Sequence, residues 1–522
     1  MSTASNHSKD SNSQPHVVFM SDSFTGHMNP TLPIVAELHA RGCRVSFFVE
    51  ETMRSVVEAA GAAWYPFKSC NAASSSVSNV SSFSGVPRKL SEAGIRELVP
   101  NNTPMNEYTG LQHPVVYNAM QILPALLEDL TVLEPSPAVI VYDPFLSFPL
   151  VAAHVLSIPA ISLLTMPGPG VTVGFSELGV AAEKMPWVER PRRQIQEKYG
   201  YDVLQHGIAL NHYSSVLTLV STIEELFSPP SSVQVERFGT YPFYCVGTLI
   251  DPKVKRVAHA TSDSATEGAA TSELPYGYID EEIRKGRRLL YVSLGTVATG
   301  PNLWNAPLAL YVKGNEDAAE DNSRLLGKYT GKEFCQHVWR TCFEAVGGDE
   351  DIFVVMCVGP HADAQDSSLP PLPVNFIARQ TVPQLEVLQR CSAFVTHGGA
   401  NSVHEALSAG VPLAVIPIFG DQPQNADLVG RSGAGVSFRH PLRTLSAVAL
   451  RKVLREMMDL SSDTTEGSTS NDKINQYRSG ASLLAEKLAG AGGVHAAVDL
   501  ILKEAKEPSQ GLPRAGEPQC LW

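Results

Sequence analysis

The chain has 522 residues, 43% of them hydrophobic and 18% charged, a globular composition too long for one ordinary core. Lys and Arg total 40 against 53 Asp and Glu, a net charge of −13 with no basic block, which excludes a surface built to grip nucleic acid. Eight cysteines, at 43, 70, 245, 335, 342, 357, 391 and 520, form no Cys-x-x-Cys pair, and no apolar run is long enough to span a bilayer or serve as a signal, so a reduced, cytoplasmic, soluble protein is expected.

Residues 1–15 are polar and read as a disordered tail. His16 to Met20 is an apolar run that predicts a strand. Pro30 to Arg41 has helical spacing, with Pro30 suited to the first helical position and Asn29 to the cap before it. Val45 to Val49 reads as a strand and Thr52 to Ala60 as a helix. Val139 to Tyr142 is a buried strand, Phe148 to Leu156 a helix and Ala160 to Leu164 a strand. Residues 248–286 are rich in Ala, Ser, Thr, Glu and Gly without apolar periodicity, and read as a linker between a domain 16–247 and a domain 287–490. In the second domain the strands are Leu289 to Leu294, Ile352 to Val358, Ala393 to Thr396 and Leu413 to Ile418, with Phe334 to Ala345 a helix. Residues 491–506 read as a helix returning to the first domain, and 507–522 as a disordered tail. Strands alternating with helices predict an α/β protein of two doubly wound parallel sheets.

Ligands in such sheets gather beyond the carboxyl ends of the strands. His27 follows the first strand, and the positive end of a helix starting at Pro30 would keep its ring neutral and basic. Asp143 ends the strand Val139 to Tyr142 on the same edge. A His–Asp pair orients a general base and stabilises its protonated form. A structural cap is the bland reading of either residue alone. In the second half, Phe394-Val395-Thr396 leads into His397-Gly398-Gly399-Ala400-Asn401-Ser402 and then a helix. Glycines allow close backbone approach, and free amides with Asn401 and Ser402 make an anion site. His397 is a donor for a phosphate, and Glu405 an acceptor for ribose hydroxyls. One strand later Asp421 and Gln422 suit sugar hydroxyls, with Thr296 after Ser293-Leu294-Gly295 a further donor.

From Pro383-Gln384 through Gly435 these residues resemble the nucleotide-sugar signature of the family 1 glycosyltransferases, which include plant secondary-metabolite and bacterial macrolide enzymes. Thr396-His397, Gly399, Asn401-Ser402, Glu405, Pro417, Asp421-Gln422 and Asn425-Ala426 fall at the expected spacing, and Gly26-His27-x-Asn29-Pro30 is similar to the family's opening motif. The resemblance implies the GT-B fold, two facing Rossmann-like domains with the site in the cleft. It implies inverting transfer of a hexose, glucose first, from a UDP-sugar without metal or other cofactor. His27 would be the base and Asp143 its partner. His397, Gly399, Asn401 and Ser402 would hold the diphosphate, Gln384 would lie near the base and Glu405 on the ribose. Asp421 and Gln422 would hold the sugar, with Thr296 nearby. The family's usual Trp over uracil is Thr381 here.

The acidic triplet Asp349-Glu350-Asp351 precedes a strand and so belongs at the edge away from the cleft. Two other functions fit the same fold, a sugar-nucleotide epimerase or hydrolase and a catalytically dead nucleotide-sugar binder. A small apolar or aromatic alcohol is the expected acceptor. Phe83, Tyr108, His113, Met166, Phe175 and Trp187 are expected to line its side, and a monomer without membrane segment is expected.

Overall fold

The computed structural model describes residues 14–68, 112–172, 186–205, 207–208, 211–239, 241–257, 274–308, 326–360, 370–460 and 475–507. Two parallel sheets carry the fold, of seven and six strands. The first contains β1 (His16–Met20), β2 (Arg44–Phe48), β3 (Ala63–Tyr65), β4 (Val139–Tyr142) and β5 (Ala160–Leu164). A small antiparallel pair follows, β6 (Gly207–Ile208) and β7 (Asn211–His212), before β8 (Leu217–Val220) and β9 (Phe243–Cys245) complete the first sheet. The second sheet contains β10 (Arg288–Ser293), β11 (Ile352–Cys357), β12 (Phe376–Arg379), β13 (Ala393–Thr396), β14 (Leu413–Val415) and β15 (Gly435–Ser437).

The strands read as near-continuous apolar runs because both sheet faces are covered. Val17 and Phe19 of β1 enter one core with Val141 and Leu163, whereas Val18 and Met20 enter another with Ile140 and Tyr142. In the second sheet Leu290 and Val292 face one core, and Leu289 and Tyr291 the other.

Strand order locates the functional edges. The first sheet runs β3-β2-β1-β4-β5-β8-β9, so the chain reverses direction of growth between β1 and β4. The second runs β12-β11-β10-β13-β14-β15, with its reversal between β10 and β13. Crevices open where neighbouring crossovers leave on opposite faces, at the carboxyl ends of those strand pairs.

The stretch expected as linker is only partly so. Within it Tyr276–Arg284 is a helix, and Leu274 and the fully buried Ile279 join the core of the second sheet beside Leu289 and Phe353. Its apolar spacing is too short to stand out from an otherwise polar segment. Earlier in the same stretch Leu249 packs into the core of the first sheet.

Helix Gln476–Gly490 lies on helix Ala400–Ser408 and buries Ala481, Leu484 and Leu488. The next helix, Gly493–Lys506, crosses to the first sheet. It packs on helix Thr25–Ala40 and places Ala497, Val498 and Ile501 in the core that holds Val17 and Phe19. At this second crossing Gly493 N–H donates to the Val246 carbonyl at 2.6 Å, so the outgoing and returning segments touch.

Candidate active site

The first helix starts earlier than Pro30 suggests. It spans Thr25–Ala40 with Phe24 at its N-cap, and Pro30 and Pro33 lie inside it. His27 is therefore in the first turn, not in a loop before it. Pro30 has no N–H to give the Gly26 carbonyl one turn back. That orphaned carbonyl accepts instead from Asn401 Nδ2 at 3.0 Å, a bond from one domain to the other.

β1 and β4 pair in parallel with Met20 opposite Tyr142, which brings the residues that follow both strands together. His27 Nδ1 donates to Asp143 Oδ2 at 2.5 Å. Asp143 also accepts from the Phe145 amide at 2.9 Å, which holds its carboxylate in place. The pair is buried, with side-chain exposures of 13% for His27 and 4% for Asp143, leaving His27 the more accessible partner. The Phe145 ring meets His27 edge-on at 4.6 Å, and Phe24 lies on it at 5.4 Å.

The helix dipole does not decide the protonation of His27. Burial works against the imidazolium, but it is outweighed by the Asp143 carboxylate, with Asp22 and Asp421 adding to it, and the imidazole's pKa stands above its ordinary 6.5. Asp22 is fully buried, its Oδ2 has no partner among the described atoms, and burial together with Asp143 pushes its pKa well above the carboxylate range. It was not singled out from the sequence because Ser21-Asp22-Ser23 reads as an ordinary turn.

The second sheet offers a matching edge. Ser293 of β10 pairs with Thr396 of β13. The turn after β13 holds His397 in a tight cage: a Cβ on Gly295 would stand 2.4 Å from its ring, and one on Gly399 2.5 Å. Gly398 has φ +87°, and a Cβ there would stand 2.5 Å from Val415 Cγ1. The glycines are thus required by the turn and the imidazole themselves. Burial pushes the His397 pKa down to about 4, against a bond to the Ser293 backbone, so the ring is a neutral dipole at neutral pH. Helix Ala400–Ser408 follows, with Asn401 and Ser402 in its first turn. Thr296 lies half-buried in the short helix Gly295–Ala298 after β10.

Glu405 is not a free acceptor. Its buried carboxylate is ion-paired with Arg256 and accepts from Gln384 Nε2 at 2.7 Å. Gln384 also donates to Ser402 Oγ at 3.3 Å and accepts from the Tyr291 hydroxyl at 3.2 Å. Arg256 belongs to the stretch expected as linker, and nothing local in the sequence marks it. Gln422 spends its Oε1 on the Ile418 and Phe419 amides at 2.9 and 3.2 Å, so only its Nε2 is left to donate outward. Burial raises the Asp421 pKa, against a bond from Asn425 Nδ2 at 2.7 Å, and Asn425 also donates to the Gly398 carbonyl at 2.7 Å. Asp421 and His27 lie close enough for each charge to shift the other's titration across the cleft.

Two strand-end edges thus face each other, one bearing a His–Asp pair and one a glycine turn, a helix start and a chain of amides and carboxyls. Comparison with known proteins agrees. Residues 370–464 match the family described as UDP-glucoronosyl and UDP-glucosyl transferase. An uncharacterized UDP-glucosyltransferase of Bacillus subtilis, YojK, is 32% identical over 247 residues, less than half of either chain at 47% of each. The NDP-glycosyltransferase YjiC of the same organism is 25% identical over 424 residues, 81% of this chain and 84% of that one. The crystal structure of the glycotransferase of kitacinnamycin superposes with a TM-score of 0.61 at 22% identity, covering 94% of this chain and 99% of the other. The chain resembles the family 1 glycosyltransferases in sequence over residues 370–464 and in fold over nearly its whole length.

Its fold is GT-B, as the two parallel sheets and their superposition require. Elsewhere in the chain two members of the acidic triplet are taken up by ion pairs. Asp349 is held by Arg451 and Arg455 at 3.0 Å each, and Asp351 by Arg455 at 3.2 Å. Among the described residues no group of three or more His, Cys, Asp or Glu is arranged to hold a metal, and no helix is long and apolar enough to cross a membrane. Of the residues expected on the acceptor side, Met166 is 8% exposed and packs in an apolar cluster with Leu164, Tyr213 and Phe243, so its main role is packing. His113 and Trp187 stand on helices Gln112–Thr131 and Pro186–Tyr199, and their side chains lie outside the described residues, as do Phe83, Tyr108 and Phe175. Thr381 is half-buried and offers no stacking ring.

Proposed function

We propose that this glycosyltransferase moves a hexose, glucose first, from a UDP-sugar to a hydroxyl of a small apolar or aromatic acceptor, with inversion and without metal. The observation that carries the reading is the short His27–Asp143 bond at one sheet's reversal point, joined across the cleft to the Asn401 helix start at the other's. Nδ1–H is committed to Asp143, so Nε2 is the basic nitrogen. It takes the acceptor's hydroxyl proton as the oxygen attacks the anomeric carbon. The bond from that carbon to the diphosphate breaks on the opposite face, UDP leaves, and the anomeric configuration inverts. Asp143 stabilises the imidazolium that forms. Amides at the start of helix Ala400–Ser408 and the neutral His397 meet charge growing on the leaving diphosphate. A binder without chemistry has no use for the His27–Asp143 pair, which sets the transferase reading ahead of it.

The test is transfer from UDP-glucose to a panel of hydroxylated aglycones, followed by mass and by the anomeric coupling of the product. The expected product is a β-glucoside, formed equally after exhaustive EDTA treatment. His27→Ala is expected to lower kcat by roughly 10²–10⁴ with UDP affinity near that of the parent. Parent-like turnover of an alcohol by this variant would remove His27 as the base. Activity lost to EDTA and restored by magnesium or manganese would overturn the metal-free reading.

A further inference from the structure

Arg256 lines the space between the domains beside Asn401 and Glu405. Its segment is fixed to the first domain, since the Val257 amide donates to Asn29 Oδ1 at 2.8 Å and Leu249 packs in that domain's core. Its guanidinium reaches the second domain and pairs with Glu405, whose side chain is 4% exposed against 32% for Arg256. The space between the domains here is lined by Asn29, Lys255, Arg256, Asn401 and Glu405. Apart from Arg256 and its neighbour Lys255, the site offers little to an anion. His397 is neutral at neutral pH, while Glu405, Asp143 and Asp421 supply carboxyls around the cleft. A nucleotide-sugar donor adds two negative charges, and a guanidinium is the side chain best shaped to meet them in pairs.

We propose that Arg256 is a donor-binding residue, which rests on Glu405 in the free enzyme and turns to the diphosphate when the donor's ribose hydroxyls take the Glu405 carboxylate. This rests on the reading of Glu405 as the ribose acceptor. The exchange leaves no buried charge unpaired at either stage: Glu405 keeps Gln384 and gains two hydroxyl donors, and Arg256 passes from one oxyanion to another. It also makes the interdomain segment part of the donor site, so a donor fixes the segment to both domains at once.

The experiment measures the affinity of uridine and of UDP, by titration calorimetry without metal, for the parent enzyme and for Arg256→Gln, Arg256→Lys and Glu405→Ala. Arg256→Gln is expected to weaken UDP by roughly ten- to a hundredfold while uridine changes less than about twofold. Arg256→Lys keeps the charge and is expected to recover part of the UDP affinity. The salt dependence of UDP binding is expected to flatten in Arg256→Gln. Equal loss of uridine and UDP would reduce Arg256 to a prop for Glu405 and overturn the proposal, as would UDP affinity unchanged from the parent. Should Arg256→Gln fold poorly, the Arg256→Gln, Glu405→Gln double variant keeps a neutral pair and, measured against Glu405→Gln alone, still has to lose UDP selectively over uridine. Glu405→Ala tests the underlying reading separately: it is expected to weaken uridine and to narrow the preference for UDP-glucose over dTDP-glucose. If it does neither, the ribose assignment falls even where the Arg256 result holds.

Discussion

At the residue scale the least expected property is the proton affinity of His27. A ring at a helix start is ordinarily disfavoured as a cation, yet the carboxyls of Asp143, Asp22 and Asp421 reverse that. The sign for catalysis follows. A base whose pKa is raised is protonated, and idle, up to a higher pH, so the acid limb of kcat/KM is expected above 6.5. Asp143→Asn removes the main opposing charge, so the limb is expected to move down in pH even as the rate falls. A limb at or below 6.5 in the parent, or one unmoved by Asp143→Asn, would show that His27 is not what titrates. For stability the same shift means that His27 favours the folded state below 6.5 and that this contribution is lost as pH rises through its folded value. His397 is the opposite case. Its folded pKa near 4 lies below the ordinary 6.5, so it favours folding above 6.5 and loses that contribution as pH falls toward 4. His27 and Asp143 were legible because each follows a strand. Asp22 and Arg256 were not, because only tertiary structure buries Asp22 beside the Asp143 carboxylate and brings the buried Glu405 to Arg256.

At the scale of elements, apolar runs located β1, β4, β5 and β13 because strands buried on both faces leave no polar position to blur them. Helix Phe148–Leu156 was equally plain. Short strands such as Ala63–Tyr65 and Phe243–Cys245 carry three residues each, too few for a period to show. The start of the first helix was misplaced because Pro30 is a good first residue, and its true place inside depends on Asn401 taking up the Gly26 carbonyl. The glycine turn before Ala400 gives a test at this scale. Gly398→Ala needs both a left-handed backbone and space that Val415 occupies. A cost of roughly 1–3 kcal/mol is expected, with weakened UDP binding because the helix start moves. Calorimetric melting and UDP titration measure the two effects, and a variant unchanged in both would mean the turn tolerates a side chain.

For the whole molecule, the last helix matters more than its position suggests. A chain ending at Ala491 would lose the burial of Ala497, Val498 and Ile501 in the core of the first sheet. A buried Val or Ile contributes roughly 1.5–3 kcal/mol each, so several kcal/mol of first-domain stability are expected to go. A melting temperature equal to the parent's would show the helix to be an appendage. The division into two alternating βα halves was legible from the renewed strand pattern after residue 286. The return of residues 491–506 to the first domain was expected from the sequence as well, whereas the backbone contact of Gly493 with Val246 depends on tertiary packing that no local pattern shows.

The bond from Gly493 to Val246 has a mechanical consequence. Val246 and Leu249 still belong to the core of the first lobe, and the chain returning from the second lobe comes in beside Val246. The returning connection is thus pinned to the first lobe, and a movement of the lobes against each other would turn about that pin. Opening to admit a donor then becomes a swing about that pin, with the Asn401–Gly26 and Arg256–Glu405 bonds as latches away from it. Cutting the chain between residues 258 and 273 would sever the outgoing connection and leave the pinned returning one intact. The two fragments are expected to elute together in gel filtration without denaturant, and fragments that part would show that the lobes are held by covalent continuity alone.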